Sequence, residues 1–272
     1  MNLTRSKKKD LLYVAVAAFF FLTACVLQTV DDYISDWSVK TTIALLTQYI
    51  FFGLLAYWTA SVISRISDKS ICSGIIVAIA LMGGILFVRL LKYHVFYDGT
   101  VMRYLWYSYY IPHCLAPAVL LITLLGMGRK DGKPLAKGWY LLFLPAAALI
   151  LLVFTNDLHE QVFSFAKGLK YSNEIYKWEW GYYFILSWIA VLYLSIGVLL
   201  YIKCRVSGCR KKAWIPLVLF IVCIVLCVLR EVFDPVFIRM PEAVVFSVVV
   251  VFESLIRIGF IPSNVNHEEL FY

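Results

Sequence analysis

The sequence predicts an all-α fold: a polytopic membrane helix bundle of eight transmembrane helices, with both termini cytoplasmic. Eight long apolar runs succeed one another along the 272 residues. Each is near the roughly 20 residues that an α-helix needs to cross a hydrocarbon core about 30 Å thick. The intervening segments alternate between rich and poor in Lys and Arg.

The first run, 11–30, follows a basic N-terminus. It is too long for the apolar core of a cleaved signal peptide and has no small-x-small site after it, so it reads as a retained span. Runs 41–63 and 71–91 come next, the second containing Gly83–Gly84, a place for close helix approach. Run 104–127 holds Pro112 and Pro117, and run 138–155 holds Pro145. Membrane helices tolerate such prolines because neighbours satisfy the freed carbonyls. Runs 181–202, 213–230 (with Pro216) and 243–261 complete the set. Asp98–Gly99, Asp131–Gly132 with Pro134, and Ser207–Gly208 mark turns. The longest loop, 156–180, has 25 residues, too few for a separate folded unit. The expected organisation is therefore a basic N-terminus, extra helix and outer loop over 1–40, a seven-helix domain over 41–262, and a short cytoplasmic tail over 263–272.

Composition agrees. The chain is 62% hydrophobic and 15% charged, against roughly 25% charged in a soluble domain. Its net charge of +8 invites a nucleic-acid reading, but the distribution opposes it. The N-terminus and the segments after runs two, four and six carry fifteen Lys and Arg. The opposite segments carry nine, together with eleven of the seventeen acids. By the positive-inside rule the basic segments face the cytoplasm. Trp37, Trp106, Trp139, Trp178, Trp180 and Trp214 fall near run ends, where indoles favour the interface. Trp58 and Trp188 lie deeper and are expected to pack between helices. Of seven cysteines, Cys204 and Cys209 fall in an inner loop and the other five in apolar runs, so no disulfide framework is implied.

Charges within a span carry the most information, because each costs several kcal/mol unless paired or wetted. Glu253 and Arg257 stand four apart in the last run, on one helical face. Arg257 is close enough to the cytoplasmic end to snorkel; Glu253 lies deeper and needs Arg257, Ser254 or another helix. The pair reads either as a structural ion pair or as a polar switch. His113, between Tyr110 and Pro117, reads as a hydrogen-bonded packing residue or as a ligand or proton site. At the outer ends, Arg103, Tyr104, Trp106, Tyr107, Tyr109 and Tyr110 open the fourth run, and Thr155-Asn156-Asp157-Leu158-His159-Glu160 closes the fifth. Arg230, Glu231 and Asp234 follow the seventh. These groups form either a pocket for a small polar or amphipathic ligand or an interfacial belt with solvated loop ends. Asp157 and His159 lack a third ligand for a metal, and no P-loop, GxSxG, HExxH or GxGxxG signature occurs.

The stretch Arg103-Tyr104-Leu105-Trp106-Tyr107-Ser108-Tyr109-Tyr110-Ile111-Pro112 resembles part of the N-terminal seven-transmembrane sensor region of bacterial histidine kinases. So do Leu144-Pro145-Ala146 followed by Thr155-Asn156-Asp157-Leu158-His159, a Thr-Asn-x-x-His pattern at the outer end of a proline-bearing span. Gly181-Tyr182-Tyr183, the basic stretch 203–214, and the segment from Glu253 and Arg257 through Gly259-Phe260-Ile261-Pro262 to Glu268-Glu269-Leu270-Phe271 are similar too. The likeness runs from about Gln48 to the end, so the first helix is an addition to the family's seven. Members continue into phospho-accepting and ATP-binding domains, whereas this chain stops at Tyr272. The resemblance thus implies a sensor module of a two-component system without its kinase output, and names no ligand.

The expectation is a receptor-like module of the bacterial inner membrane, with no catalysis and no cofactor. Tyr107, Tyr110, Asn156, Asp157 and His159 are the candidate ligand-binding residues, and Glu253 and Arg257 the candidate signal-coupling residues. The expected partners are membrane lipids, an unidentified small-molecule or lipid ligand, a separate cytoplasmic signalling protein and a second copy in a homodimer, and not nucleic acid. The alternatives are a small-solute transporter or channel, for which Gln48, His113 and Glu253 offer only sparse polar groups, and a truncated, non-signalling remnant of a sensor kinase.

Overall fold

The computed structural model describes residues 2–66, 68–96, 98–126, 135–165, 176–203, 239–259 and 261, with scattered positions between 212 and 225. The helices are α1 (Asn2–Tyr33), α2 (Trp37–Arg65), α3 (Lys69–His94), α4 (Gly99–Ser108), α5 (Tyr110–Gly126), α6 (Phe143–Phe154, entered by a 3-10 segment Lys137–Leu142), α7 (Asn156–His159), α8 (Trp180–Lys203) and α9 (Met240–Ile258). Among the described residues, six helical stretches are long and apolar enough to cross a membrane: Leu12–Tyr33, Trp37–Arg65, Lys69–His94, Gly99–Gly126, Lys137–Phe154 and Trp180–Ile202. Large apolar side chains such as Phe19, Leu144, Phe184 and Leu194 are exposed on them, the surface of a chain bathed in lipid rather than water. The protein is an all-α, multi-pass membrane protein. The expected seventh run, 213–230, falls largely outside the described residues, and the tail 263–272 wholly so.

Local chemistry sets the helix boundaries. Asp36, Asp68 and Asp98 sit just before α2, α3 and α4, and each carboxylate accepts from first-turn amides, satisfying donors that have no intrahelical partner. The fourth expected span is two helices. Pro112 has no N–H to give the Ser108 carbonyl and its ring crowds that oxygen, so α4 ends at Ser108 and α5 starts at Tyr110. α9 carries Pro241 in its first turn and stops at Gly259, whose φ of 91° is left-handed.

α3 is the central helix. It packs against α2, α4, α5 and α9, and α5 in turn packs against α6 and α8. Ile75, Met82, Ile85 and Leu86 of α3 meet Phe51, Leu55, Leu120, Leu124 and Phe252 in one apolar core. The close approach falls at Gly74, not at the expected Gly83–Gly84. A Cβ at Gly74 would lie 1.9 Å from Thr123 Oγ1, whereas one at Gly83 would meet only Leu55 at 3.5 Å and one at Gly84 would meet nothing within 4 Å. α1 lies along α2, its Phe21 ring 6.1 Å from Phe51 and 5.1 Å from Phe246 of α9.

The 156–180 segment contains a two-stranded antiparallel hairpin, β1 (Phe163–Phe165) with β2 (Tyr176–Trp178), pairing Phe163 with Trp178 and Phe165 with Tyr176. It is not a separate unit: Val162 and Phe163 are fully buried against Tyr107, Cys114, Val153 and Ile185 of the bundle.

Candidate functional site

Two polar regions interrupt this apolar interior, one at the bundle end rich in acids and one at the basic end. At the acid-rich end, α4, α7 and the hairpin bring four of the five expected ligand residues into contact with one another or with shared neighbours. Asn156 is fully buried and both ends of its amide are engaged. Its Oδ1 accepts from the Val162 and Phe163 amides at 2.9 and 3.0 Å. Its Nδ2 donates to the Phe163 carbonyl at 2.9 Å and to the Tyr107 hydroxyl at 3.2 Å. The Tyr107 hydroxyl donates to Asp157 at 2.7 Å, and Arg103 donates to the same carboxylate oxygen at 3.0 Å. Arg103 also lies 4.2 Å from the Phe165 ring centroid, a cation–π contact that fixes its fork. Tyr110 joins through the Phe163 ring, 5.6 Å away.

This assembly folds the segment after α6 back over α4. Asn156 acts as the turn's internal template, and Glu160, at φ 50°, accommodates the reversal. His159 stands aside: its ring faces Thr155 Oγ1 at 3.2 Å and accepts from the Gln161 amide at 3.0 Å. Of the expected ligand residues, Asp157 (paired with Arg103) and His159 reach the surface, beside the exposed Thr155, Glu160 and Gln161. His113 packs in the same half of α5 with Nδ1 against the Tyr109 carbonyl. Arg230, Glu231 and Asp234 lie outside the described residues, as do Cys204, Cys209, Cys223 and Cys227. Cys25, Cys72 and Cys114 are buried free thiols.

At the basic end, Glu253 and Arg257 pair as their spacing implies, Arg257 Nε donating at 2.6 Å. The larger contribution comes from elsewhere in the chain. Arg65 at the end of α2 holds Glu253 with both terminal nitrogens, at 2.9 and 2.6 Å. Trp58 Nε1 donates to the same carboxylate at 3.0 Å. Ser254, a candidate partner, instead bonds the Val251 carbonyl. Trp188 donates to the Cys114 carbonyl at 3.4 Å, so both deep tryptophans do pack between helices.

A third polar group was not read from the sequence. Arg89 and Glu242, counted there as outer-segment charges, are 6% and 0% exposed and form an ion pair between α3 and α9. Beside them Arg239 reaches α1, donating to Asp31 at 2.8 Å and Asp32 at 3.1 Å, while its amide donates to Gln28 at 3.2 Å. The available signal was the position of Arg89 inside run 71–91, where an unpaired charge is not tolerated.

Comparison with protein-family models, with curated proteins and with solved structures finds no match to this chain. The fold therefore defines the class, a multi-pass membrane helix bundle with ion pairs between its helices, and function is argued from these residues.

Proposed function

We propose that the protein is a membrane sensor module of the histidine-kinase seven-transmembrane type, lying in a bacterial inner membrane with the basic end in the cytoplasm. A stimulus at the outer, acid-rich end shifts helix packing, and α9 passes the shift to the segment 263–272 and a separate cytoplasmic partner. The observation that carries this reading is the layout of α9. Ion pairs to other helices bracket it, through Glu242 to Arg89 at one end and through Glu253 to Arg65 at the other. Between them lies apolar packing, including Leu55, Ile75, Met82, Leu120 and Phe252, around a small void lined by apolar side chains. An apolar interior favours a transmitted movement over a solute path, because a permeating polar species needs partners along its whole route. Transmission requires a stimulus that favours one packing over the other by a differential free energy.

The proposal narrows the sensing residues. Tyr107, Tyr110 and Asn156 shape the mouth from within, and Asp157, with Arg103, and His159 are the expected residues nearest the surface. Glu253 and Arg257 remain the coupling residues, joined by Arg65 and Trp58.

The test is a fusion of the full chain to a histidine-kinase output in proteoliposomes, read by autophosphorylation. E253Q should shift the basal level several-fold, and D157N or H159A should shift it less. Wild-type output from all three correctly inserted variants would overturn the proposal. Downhill flux of small solutes through the unfused protein would replace it with the transporter reading.

A further inference from the structure

The junction of α1, α3 and α9 at the acid-rich end is built unlike a static ion pair. Asp31 is 3% exposed, and only one of its carboxylate oxygens is used, by Arg239. The other, Oδ1, is buried with no partner, and so is His94 Nδ1. Both residues line one small void, together with Gln28, Thr47, Gln48 and Arg239. The void is about 10 Å³, room for about one water. Unsatisfied buried polar atoms are costly, and two of them facing one water-sized space define a polar site rather than a packing defect.

We propose that this junction is a proton-operated latch. A single water bridges Asp31 Oδ1 and His94 Nδ1, and a proton taken up from the outer solvent onto His94 releases α1 from the start of α9.

The charges that face the site are of both signs. From α1 come Asp31 and the half-exposed Asp32; α2 offers only the neutral Thr47 and Gln48. From α3 come Arg89 and His94, while Lys92 is turned onto the Tyr93 ring at 4.9 Å. From the junction between α4 and α5 comes the buried Tyr109 hydroxyl near Arg89, and from the start of α9 come Arg239 and Glu242. His94 faces Arg89, Asp31 and Arg239 together. Protonating His94 adds a third cation beside two arginines, and this cation competes with Arg239 for the Asp31 carboxylate. The competition weakens the clasp, so acid opens it.

The rest of α1 allows release. Tyr13, Phe19, Leu22 and Val26 are exposed, and α1 lies chiefly along α2, with the Phe21 ring as its apolar contact to α9. Opening leaves α3 holding α9 through Arg89 and Glu242, so α9 gains freedom at its start without leaving the bundle.

The latch does not depend on any kinase output, and its test is structural. Spin labels carried on ketone-bearing unnatural side chains at Tyr33 (83% exposed) and Val250 (46% exposed) report the α1–α9 separation while leaving the native cysteines in place. In nanodiscs the full chain should show one distance at about pH 7.5 and gain a second, longer one at about pH 5, reversibly. D31N should show at least half of the longer population already at the higher pH, and R239Q, which also gives up Asp32, should show more. H94Q should displace the midpoint of the wild-type transition. A wild-type distribution unchanged between the two pH values overturns the latch, even if D31N loosens α1. An H94Q and a D31N that both keep the full wild-type response overturn it as well, since the proton would then act elsewhere.

Discussion

Glu242 and Glu253 are eleven residues apart on α9, about three turns and roughly 16 Å, and differ by only about 20° around the helix axis. Both carboxylates therefore look into the bundle from one face. Each is held by an arginine from a different helix, Arg89 of α3 and Arg65 of α2. A helix tied at both ends of one face moves as a rod, because bending between the ties would break its own hydrogen bonds. The proposed signal path through α9 rests on these two ties.

The tie at Glu242 is the more buried, and removing half of it is expected to be severe. Breaking a buried pair leaves an uncompensated charge and costs about 3–5 kcal/mol. R89L alone should sharply lower the thermal midpoint in detergent, measured by loss of the monodisperse peak on heating. The double variant R89L/E242L removes both charges and should recover most of that loss. A double variant no better than the single one would show that the pair acts through more than charge.

At the other tie, the two arginines should separate in effect. Arg65 binds Glu253 bidentately with 19% of its side chain exposed, whereas Arg257 is 47% exposed. R65Q is expected to cost about 1–3 kcal/mol, and R257Q less than about 1 kcal/mol, as for surface pairs. The same thermal assay ranks them, and equal losses would contradict the geometry.

Asn156 makes four hydrogen bonds from a fully buried amide. N156A should strand the Val162 and Phe163 amides and cost about 2–6 kcal/mol, the sum of the two stranded groups. N156D keeps the acceptor but loses the donor, so its loss should be intermediate. The readout is faster amide exchange at Phe163–Phe165 with the exchange of α3 unchanged.

Gly74 and Thr123 bring α3 and α5 together. G74A places a Cβ within 2.8 Å of Thr123 Cβ as well as its Oγ1, so side-chain rotation alone does not clear it. The helices must separate, at a cost typical of overpacking, about 1–3 kcal/mol. G74A/T123G should restore much of the lost stability, whereas G83A and G84A, where there is space, should stay near wild type. Thermal midpoints of the four variants check this.

The spans could be read from the chain because each depends on its own composition. A run of apolar residues is a membrane helix whatever its neighbours are, and Asp98–Gly99 was legible as a turn, whereas the caps at Asp36 and Asp68 were not read. The pairing of Glu253 with Arg257 was legible for the same reason, since one helical turn brings them together. The outer mouth was legible as a neighbourhood, because Asn156, Asp157 and Tyr107 lie at adjoining span ends. Its hydrogen bonding was not, because Asn156 meets Val162 and Phe163 only after the chain reverses into a hairpin that no alternation in β1 or β2 announced.

Tertiary structure decided everything that depends on which helix stands beside which. Arg65 lies 188 residues from Glu253, and Arg239 lies 208 residues from Asp31. In the sequence Arg65 and Arg239 are loop cations and Asp31 a loop acid, alike with their neighbours. Hydropathy sorts residues by depth in the bilayer and carries no information on azimuth, so it located the charges along each helix and left their partners open. Packing fixed the azimuth, and with it the two ties on α9, the Gly74 contact and the water-sized space beside Asp31 and His94.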